Sequence, residues 1–266
     1  MTVASAGPGT ALVRPPTPSL VDAVVTHIER TPMDFDLAMR QWHAYVEALV
    51  DYGWDIVEVA ANSACPDAVF IEDVAVVAGG TALVCHPGAP TRRAEVGPVA
   101  ETLDALGYDL HEVMAPATID GGDVLKVART MYIGHGGRTN AAGITAAADV
   151  FEAVGLRVVA VPNTKVLHLK SAVTAIEDRI IGYEPVVEST DAFPNFLAMP
   201  EESGAHVVDL GESAMLMAAS CPESVEIVGH LGYTPVVVDI SEFEKAEGCV
   251  TCLSIRLRNS PNRNLD

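Results

Sequence analysis

Hydrophobic and polar positions repeat one phrase five times along the chain: an amphipathic stretch closing on a glycine, then a β-branched run. The phrases are ALVDYGWDIVEV around Gly53, TLDALGYDLHEV around Gly107, VFEAVGLRVVAV around Gly155, PEESGAHVVDL around Gly204 and IVGHLGYTPVVVDI around Gly232. Each predicts a helix stopped by a glycine in the left-handed conformation, followed by a buried strand.

Two further apolar runs joined by a short turn come after four of these strands. They are VFIEDVAVV with TALVCH, DVLKV with MYIGH, LHLKSAVTAI with IIGYE, and a shortened AHVVDL with SAMLMA. The unit is therefore strand, strand, helix, strand in some circular permutation. The glycines are 54, 48, 49 and 28 residues apart, so the fourth copy has lost length. A repeat buries its open face only against neighbours. The expectation is an α/β fold closed into a ring, a five-bladed pseudo-symmetric α/β propeller over residues 11–258. Residues 1–10 read as a flexible N-terminal extension and 259–266 as a C-terminal tail. A two-layer α/β sandwich would share the same helix ends, since glycine stops many helices.

Length and composition narrow the picture. The chain's 266 residues suffice for one sizeable core, and 49 % apolar with 20 % charged residues is ordinary globular composition. Acids outnumber bases 36 to 16, a formal charge of −20. That balance repels a phosphate backbone and an anionic membrane surface, so nucleic acid and membrane are excluded as main partners. The weakly polar run from Val74 to Val84 is too short to span a bilayer. No basic-then-apolar leader opens the sequence, and five irregularly spaced cysteines argue against a disulfide framework. A reducing cytoplasm is the expected compartment. The sequence leaves open whether the chain forms a homodimer.

Reactive residues fall at matching places on the repeat. Asp67 lies 14 residues after Gly53, Asp120 lies 13 after Gly107, and His168 lies 13 after Gly155. Asp73 and Cys252 each lie 20 residues after their glycine, Gly53 and Gly232. In a ring these positions meet near the axis. Glu72 and Asp73 interrupt a strongly apolar run, and ionised carboxylates are rarely buried without partners, so at least one should face that axis. A thiol, an imidazole and several carboxylates in one pocket suit a cationic substrate. The carboxylates hold a guanidinium, the cysteine attacks its carbon, and the histidine gives a proton to the leaving amine.

The whole chain, roughly residues 11 to 258, resembles the dimethylarginine dimethylaminohydrolase family of the pentein superfamily. Seven segments in order carry the resemblance: PSLVDAVV, PDAVFIEDVAV, TRR, DGGDVL, IGHGGRTN, KVLHLKSA and EKAEGCVTCLSIRL. It implies a five-bladed α/β propeller that hydrolyses methylated arginine to citrulline and an amine through a covalent cysteine intermediate, without metal or organic cofactor. Residue by residue, it implies Cys252 as nucleophile, His168 as general acid and base, and Asp120 as support for His168 and the guanidinium. Asp67, Glu72 and Asp73 stand for the acidic side of the guanidinium site. Arg92 and Arg138 stand for the pair that holds the α-carboxylate. By the same resemblance Val24 matches a substrate-covering position on a flexible loop, and Ala246 a backbone contact just before the cysteine.

Three positions depart from the family pattern. Ala246 is smaller than the usual aliphatic residue, the fourth repeat lacks an Ala-Asn-Cys segment, and Cys249 is an extra thiol. Cys249-x-x-Cys252 also has the spacing of a redox pair or half a zinc site, although no second ligand pair follows. An arginine or agmatine deiminase is the alternative enzyme, and a non-catalytic pentein binding module the alternative outside catalysis.

Overall fold

The protein is described by a computed structural model over residues 8–258; residues 1–7 of the expected N-terminal extension and the whole C-terminal tail lie outside the described residues, whereas Thr10, expected in that extension, begins the first strand and pairs with Leu257 and Asp55. The chain folds into five three-stranded sheets. Their strands are β1 (Thr10–Val13) and β2 (Asp55–Glu58), β3 (Ala75–Ala78), β4 (Thr81–Val84) and β5 (Asp109–Glu112), then β6 (Val124–Val127), β7 (Thr130–Gly136) and β8 (Arg157–Asn163). There follow β9 (Val173–Ile176), β10 (Arg179–Gly182) and β11 (Leu197–Ala198), β12 (Val208–Gly211), β13 (Ala214–Ala218) and β14 (Thr234–Val238), and finally β15 (Ile255–Leu257).

Every sheet has the same order: two antiparallel strands, then a third added parallel to the middle one. A parallel neighbour needs a crossover. Four helices supply it: α1 (Phe35–Asp51), α2 (Val96–Ala105), α3 (Ala141–Ala153) and α4 (Pro222–His230). A fifth, one-turn helix, α5 (Ser241–Glu244), precedes β15. The ring is closed by the chain's two ends. β15 pairs antiparallel with β1, Ala11 opposite Arg256, and β1 pairs parallel with β2, Ala11 opposite Ile56.

Gly53, Gly107, Gly155 and Gly232 have φ of 80°, 84°, 85° and 93° and each ends a helix, as the sequence predicts. Gly204 does not. It lies in a 3-10 turn, Ser203–Ala205, and a side chain there would collide with Ser224 at the start of α4. The helix missing from the fourth blade belongs between β10 and β11, where two 3-10 turns take its place. That stretch, EPVVESTDAFPNF, contains Pro185 and Pro194 and two adjacent valines, which oppose a helix.

A second expectation also changes. The strands after the glycines are the outermost of their sheets and only half-buried; β2 and β5 expose both end residues. The buried strands are the middle ones, β4 and β13 throughout. An outer strand has one unpaired edge and a helix over one face, so it keeps contact with water.

A third difference positions the site. The long apolar runs read as single strands are broken by 3-10 turns at Ile71–Val74, Gly121–Asp123 and Leu169–Ser171, with Ser203–Ala205 in the fourth blade. Residues 249–253 form a turn at the corresponding place before β15. The chain therefore pauses where it enters each inner strand, and these five pauses surround one end of the ring. Apolar clusters fill the spaces between blades. In one of them Trp42, Tyr45 and Leu49 of α1 pack with Leu216 and Phe243. Among the described residues no helix is long and apolar enough to cross a membrane.

Candidate active site

Cys252 and His168 line one small cavity of about 20 Å³, together with Val24, Asp67, Asp73, Arg92, Arg138 and Ala246. All five positions predicted to meet do meet, because each stands at or beside a pause between blades. Asp120 lies behind His168: its Oδ2 is 3.0 Å from the imidazole Nε2, and its Oδ1 accepts from Gly88 N at 2.8 Å.

The glycine pair after Asp120 makes this packing possible. A Cβ on Gly122 would lie 2.5 Å from Asp73 Oδ1 and 2.6 Å from His168 Nδ1. Gly122 N instead donates to Asp73 Oδ1 at 3.0 Å. Neither Gly121 nor Gly122 has a positive φ, so close approach, not turn geometry, is what glycine provides.

Charge at the site is arranged around His168. Its Nδ1 is 3.6 Å from Asp73 Oδ1, and the ring is 4 % exposed. Burial alone would lower its pKa, but Asp73 and the hydrogen bond to Asp120 outweigh that and raise it to about 9. Burial likewise pushes Asp73 up, while His168 and Arg92 pull it down to about 2. His168 is therefore an imidazolium at neutral pH. Asp73, Asp120 and His168 have ligand atoms within 4.8 Å of one another, yet the histidine charge and the Arg92 bond to Asp73 make this an ion-paired triad rather than a cation cage.

Asp67 accepts from Val24 N at 3.1 Å and has lone pairs to spare; burial raises its pKa, with Arg92 opposing. Arg92 is braced from several sides. Its Nε and Nη2 donate to Glu95 at 3.0 and 2.8 Å, Nη1 donates to Asp73, and Nη2 reaches the carbonyls of Phe70 and Asp67. Only one Nη1 hydrogen is left over. Arg138 is freer: its buried Nη1 has no hydrogen-bond partner, and Asp120 Oδ2 lies 3.8 Å away.

Glu72 is not where the sequence reading put it. Its carboxylate pairs with Lys170 Nζ at 2.6 Å and Arg256 Nη2 at 3.3 Å, beside a separate cavity of about 310 Å³. Consecutive side chains of a 3-10 turn diverge by a third of a turn, so Glu72 and Asp73 face different cavities.

Three supporting residues were not apparent in the sequence. Asp123 is fully buried and accepts from Leu169 N at 2.9 Å and Thr139 Oγ1 at 2.6 Å, fixing the segment that follows His168. Glu95 anchors Arg92. Glu247 reaches across the cavity mouth and accepts from Thr26 N and Oγ1 and Ile28 N at 3.0 Å each, and from His27 N, so it holds the loop that carries Val24. Only Asp123 left a trace, as the second acid of DGGD.

Cys252 Sγ lies 3.3 Å from Cys249 Sγ, and Cys249 Sγ lies 3.3 Å from Thr251 Oγ1. The hydrogen bond between the sulfurs lets them share one proton. It lowers Cys249 and raises Cys252, in keeping with His206 near the former and Glu72 and Asp73 near the latter.

A buried thiol, an imidazolium braced by carboxylates and a cavity lined by both carboxylates and guanidinium groups at the centre of a five-bladed α/β propeller define a cysteine-dependent guanidine-modifying protein of the pentein type. The chain is 56 % identical over 249 residues to the N(G),N(G)-dimethylarginine dimethylaminohydrolase of Streptomyces coelicolor, covering 93 % of this chain and 96 % of that one. It is 32 % identical over 250 residues to the Pseudomonas aeruginosa enzyme of the same name, covering 92 % and 98 %. The chain belongs to the dimethylarginine dimethylaminohydrolase family. No protein-family model matches it.

Among solved structures, a cysteine-to-serine variant of the Pseudomonas aeruginosa enzyme in complex with citrulline superposes with a TM-score of 0.87 at 31 % identity, covering 94 % of this chain and all of that one. A histidine-to-glycine variant of a dimethylarginine dimethylaminohydrolase, as an adduct with S-methyl-L-thiocitrulline, gives 0.88 at 31 % identity, covering 94 % and 99 %. The N-terminal domain of a cyanobacterial arginine dihydrolase shares the fold, with a TM-score of 0.83 at 18 % identity, covering 93 % and 97 %.

Proposed function

We propose that this protein hydrolyses N-omega,N-omega-dimethyl-L-arginine to L-citrulline and dimethylamine, and the N-omega-methyl compound to citrulline and methylamine. One observation carries the assignment to this chain: Cys252, protonated His168 and two carboxylates converge on a single buried cavity. Family membership and the citrulline and thiocitrulline complexes of its relatives support the same reaction.

The side chains divide the work by charge. Asp67 takes the guanidinium with its spare lone pairs, and Asp73 adds negative charge beside it. Arg138 Nη1 receives the α-carboxylate as a charge-assisted hydrogen bond, with the free Nη1 hydrogen of Arg92 as a second donor. Val24 closes over the substrate, and Ala246 forms part of the wall. The cavity of about 20 Å³ holds little more than a water, so the loop held by Glu247 opens to admit the amino acid.

Chemistry follows from the protonation states. The incoming guanidinium favours the Cys252 thiolate, the thiol proton leaving to solvent as substrate binds, and the thiolate attacks the guanidinium carbon. His168 gives its proton to dimethylamine as the C–N bond breaks, leaving an alkylthiouronium on Cys252. The neutral imidazole then takes a proton from water, the hydroxide adds to the same carbon, and the C–S bond breaks to free citrulline and the thiolate. Asp120 and Asp73 keep the imidazole oriented and basic enough to return to the charged form.

The test is citrulline and amine release from dimethylarginine, monomethylarginine and arginine, with Cys252→Ser as control. Citrulline from the methylated substrates, lost in Cys252→Ser, supports the assignment. Turnover of arginine alone makes the protein a deiminase, and turnover of none of the three overturns catalysis.

A further inference from the structure

Cys249 is used by no step of that reaction, yet its sulfur is 3.3 Å from the nucleophile's. The two thiols sit at the ends of one turn, with Cys252 N donating to Cys249 O at 3.1 Å. A turn closed in this way keeps its terminal Cα atoms within about 7 Å, and disulfides form at Cα separations of about 4.4–6.8 Å. The other three cysteines have no such neighbour: Cys65, Cys85 and Cys221 each point their sulfur at a backbone carbonyl.

We propose that Cys249 and Cys252 form a reversible disulfide, so that Cys249 is the resolving thiol of an oxidation site built onto the nucleophile. The oxidant class is a hydroperoxide. Cys252 lines the cavity and meets it first. The one proton that the two sulfurs share moves along their hydrogen bond onto the Cys249 thiolate, the second proton of the pair having been lost to solvent, and the resulting Cys252 thiolate attacks one peroxide oxygen. The O–O bond breaks, Cys252 becomes a sulfenic acid, and hydroxide leaves to be protonated to water. Cys249 sulfur then attacks Cys252 sulfur, the S–O bond breaks and a second water departs. Two thiols and one hydrogen peroxide give one disulfide and two waters. A dithiol reductant reverses the process by exchange.

Geometry favours the disulfide over deeper oxidation. Sulfenic acids that find a thiol condense, whereas isolated ones advance to sulfinic and sulfonic acids that ordinary reductants do not restore. Cys249 is buried beside Cys252, so condensation needs only side-chain rotation within a turn already formed. Its acidity, raised by the hydrogen bond from Cys252 and by nearby His206, supplies the resolving thiolate.

The test treats the purified full chain with an excess of hydrogen peroxide, reads intact mass and free thiols, then adds dithiothreitol and measures citrulline formation. The expected result is a mass lower by two hydrogens, two fewer titratable thiols, a cross-linked peptide spanning 249–252, and turnover lost and then regained. Cys249→Ser and Cys249→Ala, each compared with its own untreated rate, are expected to gain oxygens on Cys252 and not to recover. Oxygen added to the unaltered protein without loss of two hydrogens overturns the proposal, as does recovery of both variants as full as its own. Mass and thiol readouts do not depend on the hydrolase assignment. A disulfide that leaves turnover intact supports the oxidation site and refutes Cys252 as nucleophile.

Discussion

Replacing Asp120 with asparagine tests the electrostatic design most directly. Asn is isosteric and can still accept from Gly88 N, but it removes the charge 3.0 Å from His168 Nε2. His168 stands at about 9 against an ordinary 6.5. At about 1.36 kcal/mol per pH unit, the surroundings favour the imidazolium by about 3 kcal/mol, the attraction of the acids less the cost of burial. Asp73 gives the largest single favourable interaction and the Asp120 hydrogen bond the next, with the Asp120 charge acting again; a hydrogen bond to a charged group is worth about 1.5–3 kcal/mol, which corresponds to a His168 shift of roughly one pH unit or more on its loss. The low pKa of Asp73 reports the same ion pair and does not count again.

In Asp120→Asn the alkaline limb of the kcat profile therefore moves to lower pH by about one unit, so turnover above about pH 9 falls by a factor approaching ~10 while turnover near neutrality, where His168 stays protonated, changes little. Stability moves with it. His168 is raised above its unfolded value, so its contribution is complete below about pH 6.5 and is lost as pH rises through about 9. Urea unfolding of the two proteins should differ most near pH 6 and converge by about pH 10. A variant with an unmoved alkaline limb, or with a stability deficit that does not change across that window, would show that Asp120 only fills space.

Three other substitutions probe separate parts of the site. Arg138→Ala removes an unpartnered buried guanidinium nitrogen that lines the cavity; KM for dimethylarginine should rise by ~10–100-fold with a smaller change in kcat, the worth of a charged hydrogen bond, and an equal loss for a decarboxylated substrate would refute the carboxylate role. Gly122→Ala places a methyl against Asp73 and His168; a loss of about 1–3 kcal/mol in denaturant unfolding is expected, together with a lowered His168 pKa by NMR. Glu247→Ala cuts four hydrogen bonds to residues 26–28; faster proteolysis within that loop and a severalfold higher KM are expected, and unchanged cleavage would mean that the loop is held by other contacts.

The sequence by itself determined the repeat, the ring and which candidate reactive side chains come together. These are local or periodic properties. A glycine in the left-handed region ends four helices, and an apolar run bounded by turns marks each hairpin. Equivalent places on successive units must meet when the units close. Convergence of Asp67, Asp73, Asp120, His168 and Cys252 followed from that counting alone.

Tertiary structure decided what depended on partners from distant segments. Glu72 and Asp73 are neighbours in sequence, and a single 3-10 turn sends one to Lys170 and Arg256 and the other to Arg92 and His168. Gly204 looked like a helix end and serves instead to let Ser224 approach. Arg92 and Arg138 looked alike, and burial against Glu95 and Asp73 leaves only Arg138 with an uncommitted nitrogen. Glu247 acquires its role from a loop 221 residues away. Pair distances, burial and the resulting pKa of a histidine are properties of contacts between blades, and no local pattern encodes which partner a side chain meets once the ring has closed.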